Sequence, residues 1–435
     1  QEGLTEKEIL DFSQNNNQSA SRSIIIALLF ITAGLLWAHS TSASALHQGV
    51  SSQSIHLGSV LALQGKAKGL GKGMQHGLNA ALQGKIVKKR KIQISFENDF
   101  YVPSKSIAGT KKLLKQGIFL MIGNVGTPTA KITLPILKEQ GTPAVGFFTG
   151  ADLLRQPHPQ PIVNYRASYI QETEAIIKEA IRNGLQPTQI CAYVQNDAYG
   201  MAGLKGIMLA MQEVNAPHSM LEAYQKLLLM EGEDPPRNNI GPVGVYTRNT
   251  RQVLKGFQSL KNWEQKTGYH CKLVVTVGVY ANIAHFSRNA KSKGEHWLLS
   301  AVSFTGAENF MKDLKRYNAT EKVIMTQVVP LLDSQLPIVL EAKKALGDQF
   351  GFVSLEGYLV GKMTLKILQA MPGELTRKNF MDQVQKTKLD LGGVSIDFTK
   401  NRKQGSNLVI SSYLTPTGFQ KMTPKIWELM LNFSN

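Results

Sequence analysis

The sequence predicts an α/β protein built as two doubly wound lobes. Three observations carry that reading. Short Val/Ile-rich runs alternate with amphipathic stretches of helical length, the pattern of parallel strands covered on both faces. The alternation comes as two successive series. Finally, 435 residues at 43% hydrophobic content suffice for roughly two or three domains with an ample core.

The first series opens with the strand IHLGSVLAL and the helix GKGMQHGLNAAL, then KIQISFEND and SKSIAGTKKLLKQG. The strand IFLMIGNV, the helix PTAKITLPILKEQG and the strand TPAVGFF follow. The second series runs ASYIQETEAIIKEAIRNG, QICAYVQND, YGMAGLKGIMLAMQEV and HSMLEAYQKL. TRQVLKGFQSLKNWEQ, KLVVTVG and NIAHFSRNAKSKG complete it. In such sheets ligands bind beyond the carboxyl ends of the strands, and GNVGTPT at 123–129 has that address. Its glycines bare the backbone just ahead of a helix start, where free N–H groups and the helix dipole attract an anion. Thr127 reads as the N-cap and Pro128 as the first helical residue.

Residues 24–38, IIIALLFITAGLLWA, form the only long apolar run. Arg22 precedes it and STSASA follows, so it reads as a secretory signal cut after Ala45. An uncleaved anchor is the alternative, although a membrane span needs about 20 residues. The acidic, polar stretch before the run fits a start site placed too far upstream. No Cys ends the run, so a lipid anchor is not expected.

Without residues 1–45 the chain keeps 47 basic and 27 acidic residues, a net charge of +20 (49 less Lys7 and Arg22, against 31 less Glu2, Glu6, Glu8 and Asp11). Nucleic acid suits such a charge, but an export signal opposes it, and the basic residues are spread along the chain. The densest cluster, KIVKKRK at 85–91, reads as a solvated loop, with attraction to anionic ligands or a membrane face as the alternative. Only two cysteines occur. Cys191 lies in a strand and Cys271 just ahead of one, which gives no disulfide framework and leaves a single bridge open.

No catalytic constellation assembles. The glycine-rich run QGKAKGLGKGMQHG fits neither the Walker spacing nor the dinucleotide fingerprint. The nine histidines are scattered, without HExxH or a Cys/His cluster, so neither metal nor cofactor is expected. Asp197 in QNDAYG reads as a turn or helix cap. With no nucleophile, base and oxyanion hole together, the chain reads as a binder and not an enzyme.

Seven segments in order resemble the type I periplasmic solute-binding proteins of branched-chain amino acid ABC transporters, the leucine/isoleucine/valine-binding kind. They are IHLGSVLALQGKAKGLGKGMQHGLNAAL, ENDFYVPSKSIAGTKKLL, GNVGTPTAKITLPILKEQGTPAVGFFTGADLLR, NYRASYIQETEAI, YVQNDAYGMAGLKG, VYTRNTRQV and LEGYLVGKM, together covering about residues 53 to 400. The resemblance implies two Rossmann-like lobes joined by three crossing strands, closing on a ligand like a clamshell. It puts 53–163 with 331–400 in lobe 1 and 164–330 with 401–435 in lobe 2, after an extension and signal peptide at 1–45. The crossings fall near Val163, near Val329-Pro330 and near 400–410.

It also implies a ligand site. Gly126 and Thr127 match the corner that receives the ligand carboxylate. Phe148, Thr149 and Gly150 match a second contact loop, with Phe148 in place of a small residue. Tyr199 and Tyr280 match two aromatic walls, and Arg166 adds positive charge near the cleft mouth. Where the family carries the acid that pairs with an α-ammonium group, this chain has Val302 or Ser303, with Glu308 several residues on. An acidic or neutral ligand is therefore expected at least as readily as leucine. The implied function is an exported, monomeric solute-binding protein in the periplasm of a Gram-negative cell. It would capture an amino acid or a related carboxylate or amide and deliver it to an ABC transporter permease. The alternative is a sensor that reports to a membrane kinase or cyclase. A repressor with related lobes is set aside, because residues 1–45 hold the apolar run and not a DNA-reading helix-turn-helix.

Overall fold

The computed structural model describes residues 48–432 except 158 and 233. The expected signal peptide and its cleavage point therefore lie outside the described residues. No described helix is long and apolar enough to cross a membrane.

The first sheet is built from β1 (Ser54–Leu61), β2 (Ile86–Val87), β3 (Arg90–Asn98), β4 (Met121–Ile122), β5 (Ala144–Val145) and β6 (Ile162–Val163). Its order is β2-β3-β1-β4-β5-β6, and only the β2–β3 pair is antiparallel. The helices α1 (Lys68–Leu82), α2 (Pro103–Gln116) and α3 (Thr127–Glu139) connect its parallel strands. β1 is buried along nearly its whole length, as a central strand covered on both faces must be.

The second sheet follows α4 (Tyr169–Arg182). Its parallel strands are β7 (Ile190–Gln195), β8 (Val243–Tyr246), β9 (Leu273–Val277), β10 (Leu298–Ala301) and β11 (Val323–Gln327). Between them run α5 (Ala198–Glu213), α6 (His218–Leu229), α7 (Leu254–Thr267), α8 (Tyr280–Ser292) and α9 (Ala307–Arg316). The chain then returns to the first sheet through α10 (Pro337–Leu346), α11 (Phe352–Ala370) and α12 (Arg377–Lys386), and α11 lies along α1. A small hairpin of β12 (Lys388–Asp390) and β13 (Ser395–Asp397) follows. β14 (Ile410–Thr415) and β15 (Gly418–Lys421) complete the second sheet in antiparallel sense, giving the order β15-β14-β11-β10-β9-β7-β8. The last described element is α13 (Pro424–Asn432).

Packing explains the glycine-rich run. A Cβ on Gly77 would stand 2.2 Å from the Ser354 carbonyl oxygen, and one on Gly71 would stand 2.0 Å from that of Ala62. These glycines let α1 press against α11 and against the end of β1. Cys191 of β7 and Cys271, just before β9, are joined in a disulfide that ties two neighbouring strands.

Three segments pass between the sheets side by side. Gly405 N and Ser406 N donate to the carbonyls of Asn164 and Tyr165, both at 2.9 Å, and the Tyr165 hydroxyl donates to Val328 O at 3.2 Å.

Candidate functional site

The carboxyl end of β4 runs into Gly123 and Gly126, at φ 68° and 106°, so the chain turns through conformations that favour glycine. Gly126 is the N-cap of α3, and Thr127 and Pro128 form the helix's first turn. The expected role of Thr127 as cap is therefore corrected. Because the chain reaches the helix through Gly126, Thr127 stands inside the first turn and its side chain makes no capping bond. Its hydroxyl lies 2.7 Å from that of Thr149, which also accepts from Ala151 N. Val125 and Phe148 form an isolated parallel bridge that sets the two loops side by side.

Beyond this pair stands a cluster of buried rings from both lobes. Phe304 from the second lobe lies 5.2 Å from Phe148, 4.5 Å from Tyr199 and 6.1 Å from Tyr101, centroid to centroid. Tyr169 packs 5.3 Å from Tyr199, over Gly150, where a Cβ would meet its ring at 2.7 Å. Phe148 thus fills the space between the lobes rather than lining it. Burial pushes the Tyr101 and Tyr199 phenols well up and that of Tyr169 to about 12, so all three are neutral hydroxyls.

Arg166 is fully buried, not at the cleft mouth as its sequence position suggested. Two buried carboxylates draw it inward, Glu172 at 3.3 Å and Glu356 of α11 at 3.6 Å, and its guanidinium sits 4.9 Å over the Phe148 ring. Its Nε and Nη1 make no hydrogen bond. Burial pushes the Glu356 carboxyl up to about 7, because Arg166 at that distance returns less than desolvation costs.

Ser303 does not face the cleft as a bare substitute for the missing acid. Its N–H and hydroxyl both donate to Glu172, at 2.8 and 2.9 Å, and the Thr326 hydroxyl donates at 2.6 Å. Glu308 is also engaged, accepting from Phe352 N at the start of α11. Asp197 caps α5 through Tyr199 N and pairs with Arg248 at 2.8 Å. Tyr280 stands outside the ring cluster, and its hydroxyl accepts from Gly69 N of α1 at 3.2 Å.

Sequence reasoning missed Tyr101, Tyr169, Glu172 and Phe304. Tyr101 follows Phe100, and both have positive φ, 60° and 55°. Asp99 holds that turn by accepting from Tyr101 N at 2.8 Å. Two aromatic residues in this conformation at a strand end form a strained corner, which no sequence pattern announces.

Hydrogen bonds close the lobes on one another. Besides Gly69–Tyr280, Gln195 donates to the Tyr101 hydroxyl at 3.2 Å, Asn249 donates to Tyr101 O at 3.2 Å, and Lys205 pairs with Asp152. At the edge of the closed cleft, a cavity of about 550 Å³ lies between the first turns of α2, α3 and α5, lined by Pro103, Pro128, Lys131, Asp197 and Arg248. A larger cavity, about 790 Å³, lies elsewhere, beside the linking segments at 330–336 and 405–410.

A family model described as periplasmic binding protein matches residues 54–223. A possible leucine/isoleucine/valine-binding protein from Rhodopirellula baltica shares 30% identity over 88% of this chain and 99% of its own, with a TM-score of 0.77. The chain belongs to the periplasmic binding protein family. As a type I periplasmic binding protein, similar to the leucine/isoleucine/valine-binding group, it has the two-lobe fold of that family. Two more distant structures share the fold. One is a branched-chain amino acid ABC transporter protein from Thermus thermophilus with bound valine, 16% identical over 86% of this chain and 96% of its own, TM-score 0.68. The other is an ABC transporter solute-binding protein from R. palustris in complex with 4-hydroxybenzoate, 15% identical over 85% and 96%, TM-score 0.66. No curated protein sequence matches. In this periplasmic binding protein the ring cluster occupies the seam between the lobes.

Proposed function

We propose that this protein is an exported, monomeric solute-binding protein that closes its lobes on a small carboxylate and delivers it to an ABC transporter permease in the periplasm. We read residues 53–163 with 331–400, and 164–330 with 401–435, as the two moving bodies, with the three linking segments as the hinge. The ligand favours the closed state by touching both lobes.

One observation carries the choice of ligand: the second-lobe acids near the ring cluster, Glu172, Glu308 and Asp197, are already engaged. Glu172 accepts from Ser303, Thr326 and Arg166, Glu308 caps α11, and Asp197 is held by Arg248. An α-ammonium group in the closed cleft would meet no unpaired carboxylate among these, a cost of several kcal/mol. A carboxylate, in contrast, has the Thr127–Thr149 hydroxyls and the first turn of α3 to receive it. The surrounding rings suit an apolar or aromatic body. The 4-hydroxybenzoate held by the R. palustris protein is a ligand of that chemistry. Entry requires Phe148 and Phe304 to part as the lobes open.

The test is a thermal-shift screen of the chain from Leu46 onward against aromatic and aliphatic carboxylates, their amides and the α-amino acids. At hundredfold excess over its dissociation constant a true ligand adds about 2.7 kcal/mol of stability. Hits confined to carboxylates without an ammonium group support the proposal. Hits confined to α-amino acids overturn the ligand class.

A further inference from the structure

The most concentrated charge of the molecule lies at the far end of the first lobe from the cleft. The β2–β3 hairpin carries Lys85, Lys88, Lys89, Arg90 and Lys91, and among the described residues none of the five forms an ion pair. The nearby Glu341 is held low by Lys362, Tyr358 and Lys85, and is paired with Lys362. The sequence places no Asp or Glu between Asp11 and Glu97. Ile86 stands 67% exposed among the lysines. At the tip, Lys88 and Lys89 both have positive φ, 47° and 65°, where hairpins favour Asn-Gly. Lys88 is anchored on Gly373 O, and the Arg90 guanidinium turns inward to Ser51 O. The tip is therefore a fixed platform with exposed ammonium groups around one apolar side chain.

Its place in the fold matters. Ser54 stands opposite Lys91 at the amino end of β1, whereas the cleft opens beyond Leu61 and Asn98. The apolar run at 24–38 ends a dozen residues before Val50, which pairs with Ile55. Fully extended, a dozen residues reach at most about 40 Å, so an uncut apolar run in a bilayer would hold this end of the lobe at its surface.

We propose that the β2–β3 hairpin docks on an anionic lipid bilayer, with the lysines facing the headgroups and Ile86 entering the interface. The exposed Ile86 favours a lipid surface over nucleic acid. Docked this way, the cleft mouth faces away from the bilayer and is open to solutes. The contact holds the protein near the membrane between captures, and delivery requires its release.

The test is vesicle flotation of the chain from Leu46 onward, which carries every described element. Partitioning onto vesicles containing about 30% phosphatidylglycerol should be at least about tenfold stronger than onto phosphatidylcholine alone, and should vanish near about 0.5 M salt. Replacing Lys85, Lys88, Lys89 and Lys91 by Gln should abolish it, and Ile86→Ser should weaken it severalfold at unchanged charge. Lys255, Lys266, Lys293 and Lys312, exposed on the second lobe, provide a charge-matched control whose replacement by Gln should leave binding intact. Equal loss in the control set, or flotation surviving loss of the hairpin lysines, overturns the proposal. So does a dimer on size-exclusion chromatography that depends on the hairpin lysines, since β2 would then be an edge for a second copy.

Discussion

The cleft has two walls, built in different ways. On the first-lobe wall, Thr127 finds its partner Thr149 only 22 residues along the chain, and the glycines that place it are its immediate neighbours. On the second-lobe wall, Ser303 and Phe304 are positioned by Glu172, which lies 131 residues earlier, and by Thr326 on β11. The first wall is local and leaves its hydroxyls at the ring cluster. The second is a long-range charged network in which Glu172 ties up the Ser303 and Thr326 hydroxyls. The difference suggests a division of labour in which the first wall recognises the ligand and the second supports the shape.

The strongest way to break that comparison is Glu172→Ala. It strips Ser303, Thr326 and Arg166 of a shared buried acceptor, and removing one member of a buried ion network costs about 3–5 kcal/mol. Urea unfolding measures it. A loss below about 1 kcal/mol would mean the network relaxes around water and does not support the wall.

Gly126→Ala tests the local wall in the same terms. At φ 106° a side chain is strained, and its Cβ would meet the Tyr101 ring at 2.3 Å. A loss of about 1–3 kcal/mol is expected by the same unfolding measurement. An unchanged midpoint would show that the Tyr101 corner yields freely.

The contrast between the walls also explains what the sequence could reveal. The two strand–helix series and the Gly-rich corner at 123–127 were legible, because their signals are short-range glycines, apolar runs and helix starts; the loop at Thr149 was reached only through the family resemblance. β8 was not assigned: it is only four residues long and follows Gly241-Pro242, so it offers no extended apolar run. Glu172 sits in an amphipathic helix among Gln171, Glu174 and Lys178, and looks like one more solvated charge until β11 and Ser303 are brought against it. Arg166 was read as a charge near the cleft mouth for the same reason. Its partners Glu172 and Glu356 come from two different helices, one of them nearly 200 residues away.

Glu356→Gln separates the buried charge from the packing. The folded carboxyl is pushed from its ordinary 4.5 to about 7 by burial, so the folded state holds its proton more tightly than the unfolded chain does. Its contribution is complete below about 4.5 and is lost as pH rises through about 7, above which a charged carboxylate must stay buried. Between those values the natural protein should lose about 3 kcal/mol relative to the Gln variant, whose profile lacks that slope. Parallel pH profiles for the two proteins would show that Arg166 keeps Glu356 ionised throughout.

The smallest effect on stability should belong to Thr127, the residue proposed to receive the ligand carboxylate. Thr127→Val keeps the shape of the side chain and removes one hydroxyl, whose partner Thr149 retains its bond from Ala151 N. The unliganded protein should lose only about 0.5–1.5 kcal/mol, the net worth of one neutral hydrogen bond. The carboxylate that scores in the screen, however, loses a donor at the point where its charge is received. Hydrogen bonds to charged groups contribute about 1.5–3 kcal/mol, so its affinity should fall roughly ten- to a hundredfold. Calorimetric titration of the variant with that acid decides the matter. A large loss of affinity with a small loss of stability places recognition on the first wall. A variant that binds as tightly as the natural protein moves the carboxylate away from Thr127, and the unpaired N–H groups of Arg166 become its receiver, reached only once Phe148 swings aside.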